Sequence, residues 1–322
     1  MVLGVDGGNT KTIALVAALD GTVVGSGRAG CADIYSWPTP GAGIAEVVAA
    51  AEGALAAAGA GRADVRAAVF SLAGADWPED FALLGRELGA WLGREPIVVN
   101  DAIGAIRCGV PSGVGVAAVC GTGSAVGARG VGGGVFHIGF WPDGSGARKL
   151  GEDALAAVYR EGLGVGPPTA LTPAALAAFG AGSPLELLHA FSRRGGTAGE
   201  AAAFARAMLD VSASGDAVAG AIVRTHAEVI AAQIRASAAR VSLPQPYPVV
   251  LAGPVFRHEA GELARLVLEA LPDATPVPAR LEPAAAAVWG ALAEAGAPAD
   301  ALETLAATVP GPELFATSAG AR

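Results

Sequence analysis

The chain has 322 residues, of which 52% are hydrophobic and 16% are charged, and its formal net charge at pH 7 is −9. This composition excludes a disordered chain and is enough for two ordinary domains. Because the acidic balance leaves no basic stripe, we do not expect nucleic acid as a partner.

The three cysteines, Cys31, Cys108 and Cys120, are widely spaced and form no CxxC pair. A disulfide framework and a zinc ribbon are therefore not expected. The first residues read directly into a strand rather than a basic leader, and every long apolar stretch is interrupted by Gly, Pro or charge. We expect a cytoplasmic protein with no membrane partner.

The first third of the chain predicts three strands joined by tight turns, followed by alternating helices and strands. The predicted strands are residues 2–5, 13–19, 22–26, 65–72 and 97–99, and the predicted helices are 42–59, 79–92 and a segment through Ile103 and Ile106. A strand meander followed by helix, strand, helix and strand is an α/β pattern.

The same pattern begins again near residue 114. Strands are predicted at 114–119, 125–128 and 249–251, helices at 259–271 and 283–295, and mostly helical structure at 151–240. The tail after Val309 carries no strong pattern. We therefore predict two α/β domains, residues 1–112 and 113–322, with a helical insertion in the second at about 151–245.

The first glycine turn, residues 6–12, lies between two predicted strands and reads Asp6-Gly7-Gly8-Asn9-Thr10-Lys11-Thr12. A glycine-rich turn directs several backbone N–H groups toward one point, where they and the threonine hydroxyls can cradle phosphate oxygens. Asp6 can hold Mg²⁺ through water, and Lys11 adds a positive charge. An ordinary hairpin turn is the alternative, since these residue types suit turns generally.

The second glycine turn, residues 120–124, reads Cys120-Gly121-Thr122-Gly123-Ser124 and also joins two predicted strands. A single Gly-Thr-Gly is weak evidence of a phosphate site. Two such turns in a repeated strand pattern are stronger, because two hairpins facing each other across a cleft would clamp a triphosphate.

Two further strand ends carry candidate residues. Asn100 and Asp101 follow a strand, where a carboxylate could accept a proton in phosphoryl transfer, although helix capping is the better explanation of the pair taken alone. Gly253 and Pro254 follow a later strand, and glycine there would let the backbone approach an adenine ring. Asp76, after the strand that ends near Leu72, is a candidate ligand of the acceptor.

Taken together, these motifs resemble the BadF/BadG/BcrA/BcrD-type ATPases of the actin, hexokinase and Hsp70 superfamily, and among them the N-acetylglucosamine kinases. The resemblance covers nearly the whole chain, with the motifs in the family's order. It implies a duplicated ribonuclease-H-like fold with two lobes and a cleft, ATP and Mg²⁺ as cofactors, and Asp101 as the catalytic aspartate. It also implies an amino-sugar acceptor phosphorylated at the 6-hydroxyl, and a homodimer.

The acceptor region departs from the family's pattern. Where sugar kinases of this kind carry an asparagine after the third strand, this chain has Asp33, and we hypothesise that Asp33 selects a protonated amine, as in glucosamine. A surface turn is the alternative. The family's Gly-Asp-Glu-Gly-Ser stretch corresponds to residues 141–146 here. Asp143 is the carboxylate that remains, and it would contact the acceptor, as would Asn100.

Two other functions are compatible with the ATP motifs. The same family includes ATPase activators of acyl-CoA reductases and dehydratases, which hold an iron–sulfur cluster between subunits, but the three cysteines do not read as an exposed bridging pair. Sugar-binding regulators of the ROK family carry a cysteine-rich zinc motif and a DNA-binding helix pair, neither of which the sequence contains.

Overall fold

A computed structural model describes residues 1–140, 144–194 and 198–316 of the chain. Its first half contains β1 (Val2–Gly7), β2 (Thr12–Ala17), β3 (Val23–Ala29), α1 (Pro40–Ala57), β4 (Ala67–Leu72), α2 (Pro78–Leu92), β5 (Ile97–Asn100) and α3 (Asp101–Ala105). These elements match the order that the hydrophobic pattern predicts.

The second half begins with β6 (Gly115–Cys120), β7 (Ser124–Arg129) and β8 (Val135–Ile138), followed by α4 (Ala147–Gly162), α5 (Leu171–Phe179), α6 (Pro184–Arg194), α7 (Ala198–Ala213) and α8 (Ala217–Arg240). The chain continues through β9 (Tyr247–Ala252), α9 (Glu262–Glu269), β10 (Ala274–Pro276), α10 (Pro283–Glu294), α11 (Ala301–Thr308) and α12 (Pro312–Phe315).

The two sheets repeat one topology. The first has the strand order β3-β2-β1-β4-β5 and the second the order β8-β7-β6-β9-β10. In each, three strands pair antiparallel and the last two join in parallel. The predicted duplicated α/β fold with two lobes is therefore confirmed.

Strand β2 shows why the first sheet is buried on both faces. Its side chains alternate between two cores, as the period of two in a strand requires. Ile13 and Leu15 pack with the alanines of α10, whereas Ala14 and Val16 pack with α1. Helix α10 thus returns to the first sheet although it follows the second in the chain. The boundary between residues 112 and 113 remains our proposal, and it falls between the two sheets.

Four elements were not predicted from the sequence. Strands β8 and β10 are short, with four and three residues, and carry no alternating apolar pattern. Helix α11 lies between two proline- and glycine-rich segments. Helix α12 falls in the tail for which we predicted no structure, and it packs through Leu314 and Phe315 against the core of the first lobe.

None of the described helices is both long and apolar enough to cross a membrane by itself. One pair, Leu171–Phe179 with Pro184–Arg193, passes that test jointly in length and composition, with a bend of 50° between them.

Candidate functional site

Carboxylates converge at one edge of the first sheet. Strands β1, β4 and β5 run parallel, with Gly7 opposite Leu72 and Leu72 opposite Asn100. Since the carboxyl ends of parallel strands meet at one edge, the side chains that follow them come together. Asp6 at the end of β1, Asp76 after β4 and Asp101 after β5 therefore form one cluster.

The pKa values of these three aspartates are raised by burial and by their charged neighbours. Asp6 has its pKa raised to about 7, first by desolvation in the cleft and next by the negative charge of Asp101. Desolvation also raises the pKa of Asp76 to about 7, with Asp101 and Asp33 adding to it. The pKa of Asp101 rises to about 6 for the same first reason, partly offset by the hydrogen bond from the Ala102 N–H.

The first glycine turn is a closed hairpin. The N–H of Gly8 donates to the carbonyl of Lys11 over 3.0 Å, and the N–H of Ala32 donates to the carbonyl of Gly8 over 3.0 Å. Thr12 is buried, and its hydroxyl donates to the carbonyl of Gly30 over 2.8 Å. Of the two threonine hydroxyls predicted to face phosphate, only that of Thr10 lies on the cleft side.

The side chain of Lys11 is hydrogen-bonded to helix α12. Its ammonium donates to the carbonyl oxygen of Phe315, and the guanidinium of Arg28 donates to the carbonyl of Leu314 over 2.8 Å. Desolvation lowers the pKa of Lys11, and the charge of Arg28 adds to that effect. The predicted phosphate lysine thus lies beneath the segment that contains α12.

The two glycine turns face each other. The hydroxyl oxygens of Thr10 and Thr122 are 3.2 Å apart, within hydrogen-bonding distance across the cleft. The space over the second turn is open, since a Cβ built on Gly123 would meet nothing within 4 Å. This is the clamp-like arrangement that the repeated motif predicts.

A buried polar network holds the second glycine turn. The N–H of Ser145 donates to the Ser124 hydroxyl over 2.7 Å. The Ser145 hydroxyl lies 2.5 Å from Nδ1 of His226, whose Nε2 lies 2.9 Å from the Asp153 carboxylate. Desolvation lowers the pKa of His226, so its ring is neutral. Nε2–H then donates to Asp153, and Nδ1 accepts from Ser145.

The predicted adenosine motif lies directly beside the second glycine turn. Val119 is opposite Ala252 in the parallel pair of β6 and β9, so Gly253 follows at the same edge as Gly121. Gly253 has φ of +101°, and a Cβ there would lie 2.5 Å from the carbonyl oxygen of Cys120. No other residue fits, so this glycine is required by backbone packing whether or not adenine binds above it. Pro254 follows at the surface.

Asn100 both caps a helix and orients a carboxylate. Its side-chain oxygen accepts from the Ala102 N–H over 3.0 Å, which is the capping role that the sequence allows. Its amide nitrogen donates to Asp76 over 3.1 Å and to the carbonyl of Ala75 over 3.3 Å. The two interpretations of Asn100 are therefore compatible.

Asp33 also has a local structural role. One of its oxygens accepts from the N–H of Tyr35 over 3.0 Å and the other from the hydroxyl of Ser36 over 3.1 Å, so it begins the helical turn Ile34–Ser36. Its charge nevertheless raises the pKa of both Asp76 and Asp101. Asp33 thus lies close to Asp76 and Asp101. Asp143 lies outside the described residues.

A cavity of about 360 Å³ between the lobes adjoins this cluster, and sequence reasoning missed it. Asp76 and Asn100 line it together with apolar side chains from α2, β5 and β8. At its rim, Trp77 of the first lobe stacks on Phe140 of the second, with ring centroids 4.2 Å apart. Such a cavity depends on contacts between lobes, which leave no local pattern in the sequence.

The donor set fits a magnesium ion that accompanies a nucleotide. Among the described residues, no group of three or more His, Cys, Asp and Glu side chains forms a cage for a metal. Mg²⁺ is commonly held by one or two carboxylates together with water and phosphate oxygens. Burial and the charge of Asp101 raise the pKa of Asp6. A bound cation would stabilise the ionised form of this carboxylate.

Two five-stranded sheets of one topology, with glycine turns facing across the space between them, define an actin-like ATPase fold. The model of the BadF/BadG/BcrA/BcrD ATPase family matches residues 3–295, and the chain belongs to this family. No curated protein matches the chain significantly.

Several solved structures share this fold. One, described as a "Putative N-acetylglucosamine Kinase" from Chromobacterium violaceum, is 23% identical, with a TM-score of 0.66 over 94% of this chain and 98% of its own. A protein of the same description from Porphyromonas gingivalis is 20% identical, with a TM-score of 0.61 over 84% and 91%. A ROK family glucokinase from Streptomyces griseus, solved with glucose and AMPPNP, is 20% identical, with a TM-score of 0.56 over 90% and 97%.

Proposed function

We propose that the protein is an ATP-dependent sugar kinase that transfers the γ-phosphoryl group to a hydroxyl of an amino sugar, N-acetylglucosamine or glucosamine, at the 6-position. The observation that carries this proposal is the placement of Asp101 beside two facing glycine turns. A triphosphate bound over the two turns, where the hydroxyls of Thr10 and Thr122 meet, would present its terminal phosphate toward the carboxylate cluster. The names of the solved relatives from Chromobacterium violaceum and Porphyromonas gingivalis support the same acceptor class.

Each residue has a defined part in the proposed reaction. The N–H groups of Asn9 and Gly123 and the hydroxyls of Thr10 and Thr122 bind phosphate oxygens. The N–H groups of Gly8 and Gly121 close their own turns, and Gly7 lies within β1. Asp101 orients the acceptor hydroxyl and takes its proton as the oxygen attacks phosphorus. With its pKa near 6, Asp101 is ionised at neutral pH yet basic enough to accept a proton. Mg²⁺ supplies neutralisation of phosphate charge.

The acceptor binds, in this proposal, against Asp33, Asp76 and Asn100, and the sequence adds Asp143 as a further contact. Beyond desolvation, the charge of Asp33 raises the pKa of both Asp76 and Asp101, and the charge of Asp101 raises that of Asp76. A protonated amine would relieve that repulsion. The hydrogen bonds to Tyr35 and Ser36 leave each oxygen of Asp33 a second lone pair. Glucosamine is therefore the acceptor that the charge of the site favours.

The decisive experiment is ADP release with Mg·ATP over a panel of hexoses and amino sugars, repeated with Asp101→Asn. Asparagine keeps an oxygen for the Ala102 N–H, so the local fold is maintained while the base is lost. We expect turnover on an amino sugar to fall by about 10²- to 10⁴-fold. The exposed Asp273→Asn is the matched control. Full activity in Asp101→Asn would refute the assignment of the base.

The choice between the two amino sugars is tested with Asp33→Asn. If Asp33 pairs with an amine, the variant loses activity on glucosamine and keeps it on N-acetylglucosamine. An equal loss on both substrates would show that Asp33 acts only through the turn Ile34–Ser36.

The structure gives no support to the alternative function, an ATPase activator with a shared iron–sulfur cluster. Cys108 and Cys120 are buried, and Cys31 is partly buried and unpaired, so these three cysteines present no exposed pair for a cluster shared between subunits. Burial raises the pKa of Cys108 and Cys120 well above that of an ordinary thiol, which disfavours the thiolate that a cluster needs.

A further inference from the structure

The cavity beside Asp76 is built from both lobes and is mainly apolar. Its apolar walls include Phe81, Val98 and Ile103 from the first lobe and Val135, Phe136 and Phe140 from the second. Its volume of about 360 Å³ is within the range of small-molecule sites. A hexose presents mostly hydroxyl groups, so a sugar ring alone would leave these walls without a matching partner.

Asp76, Asn100 and His137 are the polar residues of the cavity that lie nearest the reacting cluster, and Arg129, which is opposite Val135 in the pairing of β7 with β8, also lines it. Asn100 donates to Asp76, whose carboxylate is 10% exposed. His137 is 12% exposed, and its Nδ1 is buried and has no hydrogen-bond partner within the described residues. This nitrogen lies 3.9 Å from the carboxylate of Asp76, too far for a direct hydrogen bond. A buried polar atom of this kind is costly unless a ligand or water satisfies it.

We propose that this cavity is a binding site for an apolar arm carried by the acceptor sugar, with the polar atom at the base of the arm held between His137 and Asp76. The arm is an alkyl or acyl group of several carbons, attached to the amino nitrogen or to the anomeric oxygen. The inference rests on the proposed kinase function, since it places the sugar ring against Asp76, Asn100 and Asp101.

The lining favours an arm that is apolar and short. It passes from Asp76 between α2 and β8, where Phe81 meets the ring of His137 edge-on with centroids 6.3 Å apart, and Val135 lies on the same face of β8 as His137. Burial of one methylene contributes about 0.8 kcal/mol, which corresponds to about a fourfold gain in affinity. The gain should continue until the cavity is filled and then stop.

The test is calorimetric binding of two series, 1-O-alkyl glucosaminides from methyl to pentyl and N-acyl glucosamines from acetyl to pentanoyl. In the series whose attachment is correct, we expect Kd to fall about fourfold for each added methylene. A Kd independent of chain length in both series would overturn the proposal. Because binding is measured directly, this result does not depend on turnover, whereas the absence of ADP release on every sugar would count against the kinase alone.

Two matched variants locate the effect. Val135 lines the cavity and is 52% exposed, so Val135→Trp would fill the cavity without disturbing the core. Val131 is 74% exposed and does not line the cavity, so Val131→Trp is the control. We expect Val135→Trp to abolish the gain per methylene and leave binding of the methyl compound within about twofold. If the gain survives in Val135→Trp, the arm binds elsewhere and the assignment to this cavity is wrong.

Discussion

The two glycine turns have similar sequences but are held in different ways. The first is supported by the end of the chain, where Lys11 and Arg28 donate to carbonyls of α12. The second is supported by the start of α4 and by the buried Ser145–His226–Asp153 network. The two bonds to α12 involve exposed or half-buried groups and can be exchanged for bonds to water at small cost, whereas the Ser145–His226 pair is buried. The repeated fold therefore supplies one adjustable and one rigid half of the clamp.

The largest effect should come from Gly146→Ala, which acts on the rigid half. Gly146 has φ of +122°, and a Cβ there would lie 2.5 Å from the carbonyl carbon of Gly123. The next two N–H groups donate to the carbonyls of Gly121 and Thr122, so any shift moves the second glycine turn. Strain of this kind costs about 1–3 kcal/mol. We expect AMPPNP to bind about 5- to 150-fold more weakly in titration calorimetry.

Gly132→Ala is the control for this variant, since Gly132 lies in an exposed turn where a Cβ would meet nothing within 4 Å. Unchanged AMPPNP binding in Gly146→Ala would mean that the second glycine turn does not hold the nucleotide.

The next effect concerns pH and acts on the first glycine turn. Asp6 has its pKa raised to about 7, so it is protonated below that pH and ionised above it. A proton competes with a cation for this carboxylate. We expect the Mg²⁺-dependent gain in ATP affinity to rise with pH and to weaken by up to about tenfold per pH unit below 7. Asp6→Asn should remove this dependence, and chelation of Mg²⁺ should do the same in the unchanged protein.

Stability should depend on pH in the opposite direction to ATP affinity. Because the folded state holds protons on Asp6 and Asp76 that the unfolded chain releases near pH 4, the free energy of unfolding falls as pH rises toward 7. Thermal unfolding without ligand should therefore show a lower Tm at pH 8 than at pH 6. A flat Tm profile, or the same profile in Asp76→Asn, would contradict the raised pKa values.

A smaller effect is expected from His226→Ala. The side chain is 5% exposed, and its loss leaves the Ser145 hydroxyl and Asp153 without a buried partner. This should lower the free energy of unfolding by about 1–3 kcal/mol. It should also raise the KM for ATP several-fold while the KM for the acceptor stays unchanged, since Ser145 holds Ser124. The exposed His189→Ala is the control. Lower stability with an unchanged KM for ATP would show that the network stabilises the fold and does not affect ATP binding.

The same comparison explains what the sequence could predict. Short motifs at strand ends could be predicted, because strand ends are marked by local sequence patterns. These motifs are the two glycine turns, Asn100-Asp101 and Gly253. The His226 network joins residues 73 and 81 positions apart, and no motif marks it. Asp33 was visible as a residue, but the direction of its side chain depends on the turn that it caps. Strands β8 and β10 were missed because each is only three or four residues long.

The smallest effect on nucleotide binding should come from shortening the chain after Gly311, which frees Lys11 and Arg28 at the adjustable half. Two hydrogen bonds are replaced by bonds to water, and the contacts of Leu314 and Phe315 with the core are lost, so the loss of stability should be roughly 2–4 kcal/mol. The released ammonium of Lys11 then regains solvent, and its pKa, which burial lowers, returns toward the ordinary value. The Lys11 ammonium, freed from the Phe315 carbonyl, can donate to a phosphate oxygen instead and should bind ATP up to about threefold more tightly. Calorimetry on the full and shortened chains measures this change in ATP affinity directly.

The variant Arg28→Ala is the control, because it removes one of the two hydrogen bonds and keeps α12. If the shortened chain binds ATP more weakly, then α12 supports the nucleotide site rather than covering it, and both glycine turns must count as fixed.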